Sequence, residues 1–176
     1  MRNSVNVFYL DNDPKVCSTY HNDKHCVKMI LEYAQLMSTA HRIIDGPDVD
    51  DIIYKATHKN HPSAIWTRYS VSNYEWLYNL FIELSYEYTY RYGKTHLSYK
   101  KLHKILKTPP VGIPEGEFTE PTPAMPNHCK FPNDSLSSYR YYYRTEKDHL
   151  SKWTKRPIPP WYKKSFKKSA FLLATS

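Results

Sequence analysis

The chain has 176 residues, 40% of them hydrophobic, which suits one domain with its own core. A net charge of +8 and a pI near 9.2 favour an anionic partner, with nucleic acid the commonest and a membrane surface the alternative. Three cysteines without close pairing exclude a disulfide framework and suit a reducing compartment, and no apolar run approaches membrane-spanning length, so a cytoplasmic, soluble, monomeric protein is expected.

Residues 5–10, "VNVFYL", are β-branched and aromatic and predict a short strand or extended segment. Asp13 before Pro14 is a cap and first-turn pair for a helix over 14–20. Asp23 is expected to cap a second helix running to about Arg42, followed by an acidic turn at 45–51. Asn60 or His61 can cap the next helix, with Pro62 in its first turn, and the pattern from 63 to 92 predicts one long helix ended by Gly93. "THLSYKKLHKILK" gives a short amphipathic helix. Residues 108–132 hold seven of the thirteen prolines and predict an ordered wrap across the domain. A last helix, capped by Asn133 or Asp134, is read from "NDSLSSYRYYYRTEKDHLSKW", and a basic aromatic tail covers 152–176. The whole predicts a mainly α, single-domain compact helical bundle.

Three patterns carry candidate chemistry. On the second helix, His21, Lys24, His25, Lys28, Glu32, Gln35 and Thr39 fall within an arc of roughly 100°. That stripe is either a solvent face or the wall of a polar site. Lys28 and Glu32 stand four apart, so their side chains meet; a partly buried lysine beside a carboxylate can serve as an amine nucleophile or base. The rest of the helix is too apolar for an ordinary surface helix, so the stripe is expected to face a cleft, with His61 nearby as a helix-start residue or substrate contact. His21, His25, Cys26, His58 and His61 lack the paired spacing of a structural zinc site, and neither metal nor other cofactor is expected.

The second pattern is "SSYRYYYRTEK", where Arg140, Arg144 and Lys147 share one helical face among four tyrosines. It is either a nucleic-acid groove or a solvated basic stripe over a tyrosine core. The third is "KWTKRPIPPWYKK". Its prolines keep it extended, so Trp153, Trp161 and Tyr162 are expected to be displayed between Lys155, Arg156 and their basic neighbours, available for stacking on a base. The alternative is a tail that packs its tryptophans onto the domain. No phosphate-binding glycine loop or nucleophile elbow occurs.

Several blocks resemble pyrimidine-dimer DNA glycosylases of the phage endonuclease V type. "KMILEYAQL" resembles the lysine–glutamate–glutamine spacing of that family's first long helix. "NHPSAIW" resembles its His-Pro helix start, "EYTYRYG" the end of that helix, and "RPIPPWYKK" its basic C-terminal segment. The patterns "DKH.VKMILE.AQL", "THKNHPSA.W" and "YRYYY...K" also resemble bacteriophage proteins. The resemblance implies an all-α DNA-repair enzyme, free of metal, that flips a nucleotide and breaks the glycosidic bond with an amine nucleophile assisted by a carboxylate. On this sequence the carboxylate is Glu32, with Lys28, His25 and His61 beside it. Lys24, Arg68, Arg140, Arg144, Lys155, Arg156, Trp161 and Tyr162 are the candidate contacts to DNA, duplex with a flipped base or single-stranded. The family uses the amine of a small residue exposed by removal of Met1; here bulky Arg2 is expected to keep Met1, so Met1's own amine or Lys28 takes that role. Two other functions fit the same residues: a phage DNA-base-modifying transferase and a non-catalytic nucleic-acid-binding protein.

Overall fold

The computed structural model describes residues 5–162, and within them the protein is a compact all-α domain. Its helices are α1 (Pro14–Tyr20), α2 (Asp23–Asp45), α3 (Pro62–Thr67), α4 (Val71–Tyr92), α5 (Leu97–Leu106) and α6 (Ser135–Arg144), with 3-10 turns at Gly46–Asp48, Asn127–Cys129 and Asp148–Leu150. No strand occurs among the described residues. α4 packs against α1, α2, α3 and α5, and forms the spine of the domain.

Each helix start is chemically marked. Asp13 accepts the amides of Lys15 and Val16, with Pro14 in the first turn of α1. Asn22, rather than the expected Asp23, caps α2 by accepting the amide of His25. Asp23 instead lies in the first turn, where a carboxylate suits the helix dipole, and its two oxygens hold Thr154 and Arg91. α2 runs to Asp45, three residues past the expected end, and stops where Gly46 takes a φ of 73°. Gly93 ends α4 at φ 67°, in the left-handed region open to glycine.

The long helix expected over 63–92 is two helices. The break lies at 68–70, where Ser70 is extended and caps α4 by accepting the amide of Asn73. Asn73 returns its side-chain amide to the carbonyl of Trp66, the end of α3. The last helix also stops early, at Arg144. Thr145 is its cap residue, its hydroxyl donating back to Tyr141, and the chain then turns through Asp148–Leu150 instead of continuing to Trp153.

Residues 5–10 are buried but form neither helix nor strand. Side chains satisfy their backbone instead. The amide of Phe8 donates to Tyr33 Oη, its carbonyl accepts the thiol of Cys17, and the carbonyl of Leu10 accepts Arg140 Nε. Residues 108–132 do wrap the domain. The carbonyls of Pro114, Gly116, Glu117 and Thr119 accept from Val71, Ser72, Ser70 and Trp66 at the α3–α4 break.

The tail departs from its expected display. Trp153 and Trp161 are each only 8% exposed, and Trp153 donates its indole N–H to the carbonyl of Tyr20. Nor do the prolines keep the segment extended: it turns at 154–156, where Lys155 takes a φ of 60°, and is helical at 160–162. Its rings pack inward because burying a tryptophan face removes far more apolar area from water than solvation of the indole N–H recovers. Residues 163–176, the rest of the tail, and Met1 lie outside the described residues. No helix among the described residues is long and apolar enough to cross a membrane.

One buried ion network joins these parts. Arg91, 4% exposed, donates Nε to Glu87 at 2.9 Å, Nη1 to the carbonyl of His21 and to Asp23, and Nη2 to the carbonyl of Thr19. Glu87, also buried, receives Arg156 from the tail in a two-pronged contact. Replacing Arg91 by Met leaves the carbonyls of Thr19 and His21 without this donor and takes one of two cationic partners from buried Glu87. We expect Arg91→Met to cost about 3–5 kcal/mol of unfolding free energy in urea titration, whereas a loss below ~1 kcal/mol would mean the network adds nothing.

Candidate functional site

The polar stripe of α2 divides in two. His21 precedes the helix and is fully buried. Its Nδ1 donates to the carbonyl of Cys17 at 2.8 Å, which leaves Nε2 to accept from Tyr33 Oη at 2.7 Å. Burial, reinforced by Arg91, pushes its pKa down from 6.5 to about 3. His25 lies flat on Phe8, ring centroids 4.1 Å apart. Tyr143 Oη accepts the amide of Asn22 and is also hydrogen-bonded to His25 Nδ1 at 2.6 Å. Burial holds His25 well below the ordinary histidine range, with Lys147, Lys28 and Lys24 adding to the effect. Both rings are neutral in the fold. The unfolded chain takes up protons below about 6.5 while the folded one does not, so we expect the thermal midpoint to be level above that pH and to fall progressively as pH drops from 6.5 towards 3. A midpoint unchanged down to pH ~4 would mean that the two imidazoles protonate inside the fold.

Glu32 is the centre of the other half. It is 6% exposed, with Oε1 3.4 Å from Lys28 Nζ. Its second oxygen, Oε2, is buried and has no hydrogen-bond partner. Burial raises its pKa, against the smaller opposing pulls of Lys28 and His58. His58 belongs to a loop at 55–61 that closes over the stripe. Thr57 donates its amide to Thr39 Oγ1, Arg68 donates to the carbonyl of Lys59, and His58 itself takes a φ of 49°. A left-handed backbone is uncommon for a residue with a side chain and is held here by its surroundings. His61 ends the loop as the cap of α3, its Nδ1 accepting the amide of Ser63 at 3.0 Å, and burial followed by His58 lowers its pKa.

Three lysines are neighbours of one another here, with Lys28 next to Glu32. Lys24 is exposed, and the Lys28 side chain is 40% exposed. Lys147 comes from the turn after α6, with Nζ 5.2 Å from the ring centroid of buried Tyr142. Burial lowers its pKa, and Lys28 and Lys24 lower it further. Sequence reasoning put Lys147 on a common face with Arg140 and Arg144. Because α6 stops at Arg144, Lys147 leaves that face and meets α2 instead. Lys147, His58 and Tyr142 are thus neighbours of the site that periodicity missed; the helix-ending Thr145 was the available signal.

The remaining candidates have partners within the protein. Arg140 bonds the carbonyl of Leu10 and Asp11, and sits 5.4 Å from the Trp161 ring. Arg144 donates to the carbonyl of Trp161. Lys155 reaches the carbonyl of Tyr90, and Arg156 is committed to Glu87. Trp161 packs edge-on to Tyr20, and the hydroxyl of Tyr162 meets Asp148 and Ser151. Arg68 borders an open cleft of about 500 Å³ with Arg42, Lys59 and Asn60, on the outer side of the 55–61 loop. Two further open clefts, lined by His41, Asp45 and Thr108 and by Tyr69, Pro114 and Glu115, lie away from Glu32.

Comparison with protein-family models, with curated proteins and with solved structures returned no match, so geometry and chemistry carry the functional reading.

Glu32 weakens the fold it belongs to. Its raised pKa means that the native state holds the carboxyl proton more tightly than the unfolded chain does, so stability falls as pH rises from the ordinary glutamate value to the raised one, and the full cost remains above it. We expect Glu32→Gln to melt above the wild type at neutral pH, with the gap closing below pH ~4. A Gln variant less stable at neutral pH would show that the Lys28 pair outweighs burial.

Proposed function

We propose that this protein is a DNA-base enzyme that acts on a damaged or modified pyrimidine, as a glycosylase with Glu32 as its acid–base carboxylate. The observation that carries this reading is the buried, partnerless Oε2 of Glu32, whose other oxygen lies beside the Lys28 amine. A carboxyl group kept from water at a cost to stability, with one oxygen unused, is a common signature of a catalytic acid or base. Lys28 supplies positive charge next to Glu32, with Lys24 and Lys147 as its own neighbours, and the chain as a whole carries +8, both suited to the phosphates of DNA.

The chemistry follows from these groups. A glycosidic bond breaks when the sugar C1′ gains a nucleophile as the base departs and is protonated. Glu32 in its protonated form can supply that proton, and as a carboxylate it can stabilise positive charge developing on the sugar. An amine attacking C1′ must be neutral. Lys147 has an environment that favours this, because burial and two neighbouring ammonium groups increase its share of free amine. It joins Lys28 as a candidate nucleophile. Opening of the sugar would then give an imine that borohydride can reduce to a stable adduct.

The test is borohydride trapping on UV-irradiated duplex DNA with wild type, Glu32→Gln, Lys28→Ala and Lys147→Ala. We expect an adduct with the wild type, slowed by at least about 100-fold in Glu32→Gln with DNA binding retained, and absent from whichever lysine variant lacks the attacking amine. An adduct surviving both lysine changes assigns the amine of Met1. Full turnover by Glu32→Gln removes that residue from the mechanism. Steeply salt-dependent binding with neither adduct nor released base replaces the proposal with a non-catalytic binder, and a base that gains mass while still attached replaces it with a transferase.

A further inference from the structure

The proline-rich segment ends in the 3-10 turn Asn127–Cys129, and α6 ends at Arg144. These two ends meet. A ring nitrogen of His128, Sγ of Cys129 and a carboxylate oxygen of Glu146 all lie within 4.8 Å of one another, and His128 Nε2 is 2.7 Å from Glu146 Oε1. Thr145 Oγ1 lies 3.7 Å from the Cys129 sulfur. His128 and Glu146 have side chains 62% and 44% exposed, whereas Cys129 is buried directly beneath them.

We propose that His128, Cys129 and Glu146 bind one divalent transition-metal ion of the zinc class, with water as the fourth ligand. A tetrahedral zinc ion with bonds of about 2.0–2.3 Å sets its donor atoms roughly 3.3–3.6 Å apart, so separations now within 4.8 Å need to shorten by at most about 1.5 Å, and the 2.7 Å His128–Glu146 pair opens by about 0.6–0.9 Å. The geometry allows this: the buried sulfur is the fixed point, and the two exposed side chains are free to turn towards it. The ligand set selects the metal. A thiolate with an imidazole suits zinc and its neighbours, whereas magnesium and calcium demand oxygen donors. Burial raises the thiol pKa, so the ion must displace the thiol proton to solvent, and ligation through Nε2 requires the His128 proton to sit on Nδ1. Affinity therefore rises with pH. The ion would clip the end of the proline-rich wrap to the turn that carries Lys147. This site stands independently of the reading of Glu32.

The experiment is a cobalt(II) titration of the reduced full chain, followed by zinc displacement. The expected result is one ion per chain, with a sulfur-to-cobalt charge-transfer band and visible absorption of four-coordinate intensity, both removed by zinc. Cys129→Ser should abolish the band. Should that buried change prevent folding, Glu146→Gln and His128→Asn, both at exposed positions, decide the matter: each should weaken binding by at least about tenfold, the loss produced even by removing a partner outside the ligand set. No band in the wild type, a band that survives Cys129→Ser, or unchanged affinity in both exposed variants overturns the site.

Discussion

The guanidinium of Arg91 is the point on which the arrangement depends. One side chain satisfies the carbonyls of Thr19 and His21 at the end of α1, pairs with Asp23 at the start of α2, and pairs with Glu87 one turn earlier on α4. A buried charge of this kind is tolerated only when nearly every donor is occupied and opposite charge stands next to it. Arg91 meets both conditions, and in doing so fixes the angle at which α2 leaves α1. Asp23 and Glu87 then hold Thr154 and Arg156, so the same network pins the tail. The direction of α2, and with it the position of Glu32, follows from this junction.

A second constraint comes from threading a buried segment without regular structure through a helical domain. Residues 5–10 cannot pair with a strand, so their polar backbone groups need side-chain partners. Tyrosine is suited to this, with a ring that packs and a hydroxyl that bonds. Tyr33 links the Phe8 amide to His21, while Tyr139 reaches Asn6 and the Pro-rich segment. Tyr143 plays the equivalent part between Asn22 and His25. A chain with 17 tyrosines therefore spends many of them on internal bonding, not on a stacking surface.

The helical class, the single core, the caps at Asp13 and His61, the Lys28–Glu32 pair and the proline-rich wrap were legible in the sequence, because each depends on local spacing or on a residue's own backbone preference. What was not legible depends on distant partners. Periodicity ran through Ser70 because the apolar spacing continues across the break, and only the carbonyls of the wrap and the Asn73 contacts show that α3 and α4 are separate. It ran through Thr145 for the same reason, and so left Lys147 on the wrong face. The tail tryptophans were misjudged because their neighbours in sequence are basic, whereas their neighbours in space are Tyr20, Tyr143 and Tyr162. His21 and His25 fell on a helical stripe with Glu32, yet only Glu32 keeps an unpartnered oxygen. Spacing places side chains on a face, but it does not say which of them are satisfied.

Bonding within the protein also marks its arginines. Every described arginine donates to the protein itself: Arg42 to Tyr54 and Ile53, Arg68 to Lys59, Arg91 and Arg156 to Glu87, Arg140 to Leu10 and Asp11, and Arg144 to Trp161. The planar fork of arginine suits fixed, multi-pronged bonds, and here those bonds build the fold. The cation beside Glu32 is Lys28, with Lys24 and Lys147 near it, and lysines are flexible and offer charge without a fixed geometry. A surface of that kind can neutralise a phosphate backbone without reading base sequence. Under the proposed function, discrimination between a damaged base and a normal one would then fall to the buried, unpartnered Glu32 oxygen, because buried polar groups left unpaired by the wrong base impose a penalty that surface charge does not.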